Sequence, residues 1–180
     1  MLENRILIVD DDPDITDIIS KTLSLDGFTN LNVAHNGEQA LEIFGHFGPD
    51  LVILDLRMPV MTGYDFLKEV NLKPADPYAV IVLSGEIHDE AIKQCYDLRI
   101  NAYLYKPFNL YALRGIVKQT LALKNVQADL EEEIMRRKEL EKQLREDRLH
   151  FMSLAKDKLT PGQQLERMQE LVIMFEDKEN

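Results

Sequence analysis

The chain has 180 residues, enough for one domain with a well-filled core plus an appendage, or for two small domains. Acids outnumber bases 32 to 21, giving a net charge of -11. We therefore do not expect the protein to bind nucleic acid. No apolar run approaches the roughly 18 residues of a membrane span, and the single cysteine, Cys95, favours a reducing cytoplasm, so we expect a cytoplasmic protein without membrane helices or disulfides.

Five short apolar runs, each followed by a helical pattern, give the predicted elements in chain order. Strands are expected at residues 5–9, 31–34, 51–54, 79–83 and 102–105. Asp12 and Pro13 predict the cap and first position of a helix reaching 27, and Asn36 caps a helix to 45. Further helices are expected at 64–70 and 88–98, and Asn109 opens the last one. This alternation predicts an α/β fold: a doubly wound, five-stranded parallel sheet with helices on both faces.

Polar residues stand where the predicted strands end. Asp10 and Asp11 follow the first strand, Asp55 the third, Ser84 the fourth and Lys106 the fifth. Because the carboxyl ends of parallel strands meet at one edge, these side chains should converge there. Converging carboxylates repel unless a cation lies among them, and an all-oxygen ligand set favours Mg²⁺.

These groups together suit phosphoryl transfer. Lys106 can steady an anion, Ser84 offers a hydroxyl donor, and Asp55 is best placed to be the acceptor carboxylate. Considered by itself, an aspartate in the position of Asp55 is more often a strand-terminal residue that caps the next turn. A plain Mg²⁺-dependent phosphohydrolase is a disfavoured alternative. Such an enzyme usually needs a second acid two residues after its nucleophile, and that position here is Arg57.

Four motifs in the right order identify a family resemblance. They read Ile-Leu-Ile-Val-Asp-Asp-Asp-Pro at 6–13, Asp-Leu-Arg-Met-Pro-Val-Met-Thr-Gly at 55–63, Val-Leu-Ser-Gly at 82–85 and Tyr-Leu-Tyr-Lys-Pro-Phe at 103–108. Through them, residues 1 to about 122 resemble the receiver (CheY-like) domain of bacterial two-component response regulators. The resemblance implies the flavodoxin-like strand order 2-1-3-4-5.

The resemblance also implies roles for the acidic residues. Asp55 would accept a phosphoryl group from a sensor histidine kinase or phosphotransfer protein. Asp11 and Asp55, with the backbone carbonyl of Arg57, would bind Mg²⁺, and Asp10 would reach the metal mainly through water.

Three further residues take roles from the same resemblance. Lys106 would contact the phosphoryl oxygens, Ser84 would move toward the phosphate, and Tyr103 would turn inward as the switch aromatic. The protein would be a phosphoacceptor rather than an enzyme, limited to Mg²⁺-dependent self-phosphorylation and autodephosphorylation.

Beyond about residue 122 the sequence predicts a long helical extension. Neither Gly nor Pro occurs between Gly115 and Pro161, so a helix could run from Asn109 to about 158. Apolar residues recur at heptad spacing, interrupted by three charged ones; the apolar sites are Leu123, Val126, Leu130, Leu140, Leu144, Phe151 and Leu154, and the interruptions are Glu133, Arg137 and Asp147. This pattern predicts a parallel coiled-coil homodimer. The alternative is a solvated single helix held by ion pairs such as Glu132 with Arg136 and Glu141 with Arg145.

The predicted organisation is therefore a receiver domain at 1–122, a coiled-coil helix at 123–158 and a short amphipathic helix at 161–176. Phosphorylation of Asp55 would switch helix-mediated association or output. The alternative is a receiver and linker from a larger hybrid signalling protein whose output domain is absent.

Overall fold

The structure, a computed structural model, describes residues 2–73, 76–85, 89–158 and 162. Within them, strand and helix alternate five times. The strands are β1 (Leu2–Val9), β2 (Phe28–Ala34), β3 (Leu51–Asp55), β4 (Ala79–Ser84) and β5 (Ala102–Tyr105). The helices are α1 (Pro13–Leu25), α2 (Gly37–Phe47), α3 (Gly63–Val70), α4 (Asp89–Asp97) and α5 (Leu110–Lys158).

The strands form one parallel sheet in the order β2-β1-β3-β4-β5, which confirms the predicted fold. β3 is central, and its Leu51 pairs with both Ile6 of β1 and Ala79 of β4. Every residue of β3 and β4 is buried, as expected for strands covered on both faces. Alternate side chains enter two apolar clusters, one with residues of α2, α3 and α4 and the other with residues of α1 and α5.

Two strands begin earlier than their apolar runs predicted. β1 starts at Leu2 rather than Arg5, and β2 starts at Phe28 rather than Leu31. Leu2 pairs with Phe28 and Arg5 with Asn30, so the ladder extends beyond the apolar residues. β2 is an edge strand with exposed residues at 29 and 30, and polar residues there gave no signal of a buried strand.

The helix caps explain where the helices begin. The Asp12 carboxylate accepts from the Asp14 backbone N–H at 2.9 Å, as predicted for α1. Asn36 caps α2 in the same way, and Thr62 caps α3. The predicted start of the fourth helix, His88, lies outside the described residues, and α4 is described from Asp89. Cys95 in α4 is fully buried.

The buried carboxylate of Asp26, at the end of α1, forms ion pairs with two basic residues near the start of α5. Asp26, whose side chain is only 4% exposed, accepts a bond from Arg114 Nε at 2.7 Å and a second one from the same guanidinium. Lys118 Nζ lies 3.1 Å from the same carboxylate. The hydrogen bond from Arg114 outweighs the opposing effect of burial, and with Lys118 it lowers the pKa of Asp26 to about 2.

Replacing Asp26 should make stability depend less on pH. We expect Asp26→Asn to lower the free energy of unfolding at pH 7 by about 2 kcal/mol, because bonds to a charged group are lost. The depressed pKa makes this contribution complete above pH ~4 and lost as the pH falls toward 2. Urea unfolding at pH 7, 5, 4 and 3 should therefore show the gap between wild type and variant narrowing below pH 4.

The matched control is Asp17→Asn, which breaks a pair with Lys21 at 3.2 Å in which both side chains are more than 70% exposed. Such exposed pairs contribute under about 1 kcal/mol. A gap for Asp26→Asn that stayed constant from pH 7 to 3 would show that the charge on Asp26 is not what stabilises the contact.

Helix α5 is described as one continuous helix of 49 residues. Its first turns bury Leu113, Val117 and Leu121 against the sheet. The chain divides into two compact units after Ala128, whereas the domain limit at 122 remains a prediction from the sequence. None of the described helices has the length and apolar character needed to cross a bilayer.

The later part of α5 keeps its apolar residues exposed. Six predicted seam residues are 50–76% exposed: Leu123, Val126, Leu130, Leu140, Leu144 and Phe151. Arg137 Nε donates to Glu133 Oε1 at 3.0 Å, four residues earlier, so two of the predicted interruptions contact each other. The predicted helix at 161–176 lies outside the described residues apart from Gly162.

Candidate functional site

Three strand ends bring a lysine between two buried carboxylates. Asp10 follows β1, Asp55 is the last residue of β3, and Lys106 follows β5. Lys106 Nζ lies 2.6 Å from Asp10 Oδ2 and 3.1 Å from Asp55 Oδ2. Asp10 is 1% and Asp55 6% exposed, so these charges interact with little screening from water.

Asp11 adds a third carboxylate at the open side of this pair. One oxygen from each of Asp10, Asp11 and Asp55 lies within 4.8 Å of the others, and Asp11 is exposed where the other two are buried. Three carboxylates and one ammonium leave a formal charge of -2. The donor set therefore fits a divalent, oxygen-preferring cation such as Mg²⁺.

Burial and the neighbouring charges act in opposite directions on the buried groups. Burial raises the pKa of Asp55, and Lys106 and a hydrogen bond from the Arg57 backbone N–H offset this only in part. Burial would lower the pKa of Lys106, but the bonds to Asp10 and Asp55 more than compensate and raise it. Lys106 therefore stays charged at neutral pH.

The backbone around Asp10 holds that carboxylate in place. Asp10 Oδ1 accepts from the Asp12 N–H at 3.0 Å, which leaves Oδ2 for Lys106. His35 Nδ1 lies 3.2 Å from the Asp10 carbonyl oxygen. His35 was not among the predicted site residues, although it directly follows β2 and so lies at the same edge of the sheet as the other strand-end residues.

Ser84 is at the same edge, whereas Tyr103 lies further back along β5. Ser84 is fully buried, pairs with Tyr105 in the sheet, and its carbonyl accepts the Lys106 N–H at 2.9 Å. Tyr103 is half-buried, packs on the core, and its ring centroid lies 5.1 Å from that of Tyr105. The switching roles of Ser84 and Tyr103 remain predictions.

The loop after Asp55 turns back tightly onto the strand. The Gly63 N–H donates to the Leu56 carbonyl at 3.0 Å, and α3 begins at Gly63. A Cβ at residue 63 would lie 2.2 Å from the Asp55 carbonyl oxygen and 2.8 Å from Leu56 Cα. Only glycine fits there, so the identity of residue 63 helps to fix the backbone that carries Asp55.

Comparison with known proteins agrees with this geometry. The family model described as "Response regulator receiver domain" matches residues 6–118. Sporulation initiation phosphotransferase F of Bacillus subtilis is 32% identical over 126 residues, which cover 69% of this chain and 99% of that protein. A crystal structure of Vibrio cholerae chemotaxis protein CheY4 superposes with a TM-score of 0.59 at 29% identity, covering 66% of this chain and 99% of the other.

Longer relatives match over part of their length. Transcriptional regulatory protein CpxR of Klebsiella pneumoniae is 39% identical over 106 residues, 59% of this chain and 44% of that protein. Regulatory protein AtoC of Escherichia coli is 34% identical over 129 residues, 71% of this chain and 27% of that protein. The chain thus spans less than half of either regulator.

Proposed function

Because the chain belongs to the response regulator receiver family, we propose that Asp55 is its phosphoacceptor. The donor is the phosphohistidine of a sensor histidine kinase or a phosphotransfer protein, the partners with which receiver domains interact. The N–P bond of the donor breaks as an Asp55 carboxylate oxygen bonds to phosphorus, and the imidazole leaves with the electron pair. The observation that carries this proposal is the contact of Asp55 with Lys106 at 3.1 Å beside two further carboxylates.

The chain's own residues have distinct tasks in this step. Asp55 is held by the end of β3 and the Arg57 N–H, so it presents its carboxylate in a fixed position. Lys106, already in contact with Asp55, is proposed to bind the transferred phosphoryl oxygens as a positive point charge. Receiver domains are phosphoacceptors rather than turnover enzymes, and self-phosphorylation and autodephosphorylation at Asp55 are part of the proposal.

The proposed metal ligands are Asp10, Asp11 and Asp55, together with the backbone carbonyl of Arg57. The formal charge of the cluster and its all-oxygen donors support this assignment. Bound Mg²⁺ would supply positive charge opposite the transferred phosphoryl group. A cytoplasmic location, consistent with the single cysteine, belongs to the same proposal.

Ser84 and Tyr103 are proposed to transmit the change in the site. The Ser84 hydroxyl would move toward the new phosphoryl group as a hydrogen-bond donor. The Ser84 carbonyl accepts a hydrogen bond from the Lys106 N–H at 2.9 Å. A shift at the end of β4 would therefore also move the end of β5. Tyr103, half-buried in β5, is then the side chain whose environment would change.

The proposed output is association through the helical extension. A receiver at 1–122 would control pairing of 123–158 into a coiled-coil homodimer, with a terminal helix at 161–176. The exposed apolar residues of α5 support a partner for this helix. The alternative, a receiver and linker whose output domain is absent, is supported by relatives such as AtoC, of which the chain spans 27%.

Labelling with radioactive acetyl phosphate tests the acceptor directly. We expect wild type to take up one phosphoryl group in Mg²⁺ and none in EDTA, and Asp55→Asn to take up none. Asp12→Asn is the matched control, because it removes a neighbouring exposed charge while asparagine keeps the helix cap of α1. Full labelling of folded Asp55→Asn would refute the assignment.

A further inference from the structure

Between residues 129 and 138, the exposed part of α5 carries two adjacent blocks of charge of opposite sign. The acidic block is Asp129, Glu131, Glu132 and Glu133, and the basic block is Arg136, Arg137 and Lys138. All seven residues are exposed. A parallel, in-register pair of such helices sets each block beside its own copy. An antiparallel pair with a two-fold axis level with residue 135 sets Glu132 beside Lys138 and Glu133 beside Arg137, while Asp129 and Glu131 lie level with Glu141 and Glu139.

The apolar seam matches itself about the same axis. The seam consists of heptad positions a (Leu123, Leu130 and every seventh residue) and d (Val126, Glu133 and every seventh residue), which are separated alternately by three and four residues. Reversing one helix therefore places each a position opposite a d position of the second copy. Leu130 and Leu140, five residues either side of 135, would then face each other across the pair. Val126 and Leu144, nine residues either side, would do the same. These four side chains are 50–68% exposed in the single chain, so each has surface to bury.

The charged residues within the seam become complementary in this register. Glu133 and Arg137 lie two residues either side of 135, so each would face the opposite charge in the second copy. Within one chain they already contact at 3.0 Å, and the pair would form a four-membered charge cluster at the axis. In a parallel pair Glu133, Arg137 and Asp147 would each face their own copies. The antiparallel register leaves two mismatches, with Asp147 opposite Leu123 and Phe151 level with Gln119.

We propose that α5 pairs with a second copy of this chain in antiparallel orientation, about a two-fold axis level with residue 135. This orientation differs from the parallel one that the heptad spacing predicts. It rests on the helix-mediated homodimer of the proposed function, and it adds the direction and register of pairing.

Cysteine cross-linking separates the two orientations. Cys95 is fully buried and can stay in place while Leu130→Cys and Leu140→Cys are made singly. After mild oxidation, we expect a covalent dimer in an equimolar mixture of the two variants that had been unfolded and refolded together, and none in either variant separately. Cross-linking of each variant with itself would establish the parallel pair and overturn the proposal. A dimer by light scattering with no cross-link in any sample would overturn the register.

A charge exchange gives a second readout. Arg137→Glu would set a glutamate against Glu133 of the second copy, and we expect it to weaken the dimer about tenfold at low salt and less at high salt. The double variant Glu133→Arg, Arg137→Glu should restore pairing. In a parallel pair, residue 137 faces residue 137 of the second copy, so Arg137→Glu would replace an Arg–Arg contact with a Glu–Glu contact and leave the affinity little changed. An unchanged affinity would therefore count against the proposal. A monomeric wild type would refute the homodimer as well, while phosphoryl uptake at Asp55 would be unaffected.

Discussion

Gly63→Ala is expected to lower the free energy of unfolding by roughly 3 kcal/mol, at the upper end of what overpacking usually costs. The added methyl group would lie 2.2 Å from the Asp55 carbonyl oxygen and 2.8 Å from Leu56 Cα. Both atoms belong to the backbone, so no side-chain rotation can relieve the clash. Urea unfolding measures the loss. Because the displaced backbone carries Asp55, the rate of phosphoryl uptake in Mg²⁺ should fall in the same variant.

Gly45→Ala is the control for this substitution. Gly45 is exposed within α2, and a Cβ there would have nothing within 4 Å. Alanine favours a helix over glycine, so this variant should gain about 0.5–1 kcal/mol. If Gly63→Ala lowers the free energy of unfolding and Gly45→Ala raises it, the loss at residue 63 comes from the close approach to β3 and not from replacing glycine as such. Equal effects would mean that the turn after Asp55 tolerates a side chain.

Lys106→Met is expected to lower the free energy of unfolding at pH 7 in EDTA by about 3 kcal/mol. Lys106 contacts both Asp10 and Asp55, and its loss leaves two carboxylates buried together without that positive charge. Removing one partner of a buried ion pair commonly costs about 3–5 kcal/mol, and Lys106 is 21% exposed, so we take the lower end. Urea unfolding checks the value, and Mg²⁺ should return part of it by restoring positive charge.

Two comparisons isolate the cause of this loss. Lys21→Met breaks an exposed pair with Asp17 and should change stability by less than about 1 kcal/mol. Adding Asp10→Asn to Lys106→Met removes one of the two buried charges and should recover much of the loss. If the double variant were less stable than Lys106→Met, repulsion between Asp10 and Asp55 would not be the cause.

The central fold followed from the sequence because its inner strands are buried on both faces. Leu51 to Leu54 and Ala79 to Leu83 are unbroken apolar runs, and each is a strand at nearly those limits. The edge strand β2 was predicted only in part, since exposed Thr29 and Asn30 carry no apolar signal. Their place in the sheet is set by pairing with β1, which local sequence does not encode.

The convergence of Asp10, Asp55 and Lys106 could also be predicted, because strand ends in a parallel sheet share an edge. The Asp26 contact could not. Asp26 and Arg114 are 88 residues apart, and in the sequence each resembles an ordinary surface charge. They meet only because α1 and α5 pack on the same face of the sheet. The sequence likewise gives no rotamer for Ser84 or Tyr103, so their roles rest on resemblance.

The burial of Cys95 gives the molecule a reporter of its own opening. This thiol is the single one in the chain and has no exposed surface in α4. A water-soluble thiol reagent can therefore react only with molecules in which the packing around α4 has come apart. When opening and closing are fast, the labelling rate measures the population of that open form. Unfolding energetics near α4 can thus be followed in the unmodified chain under fully native conditions.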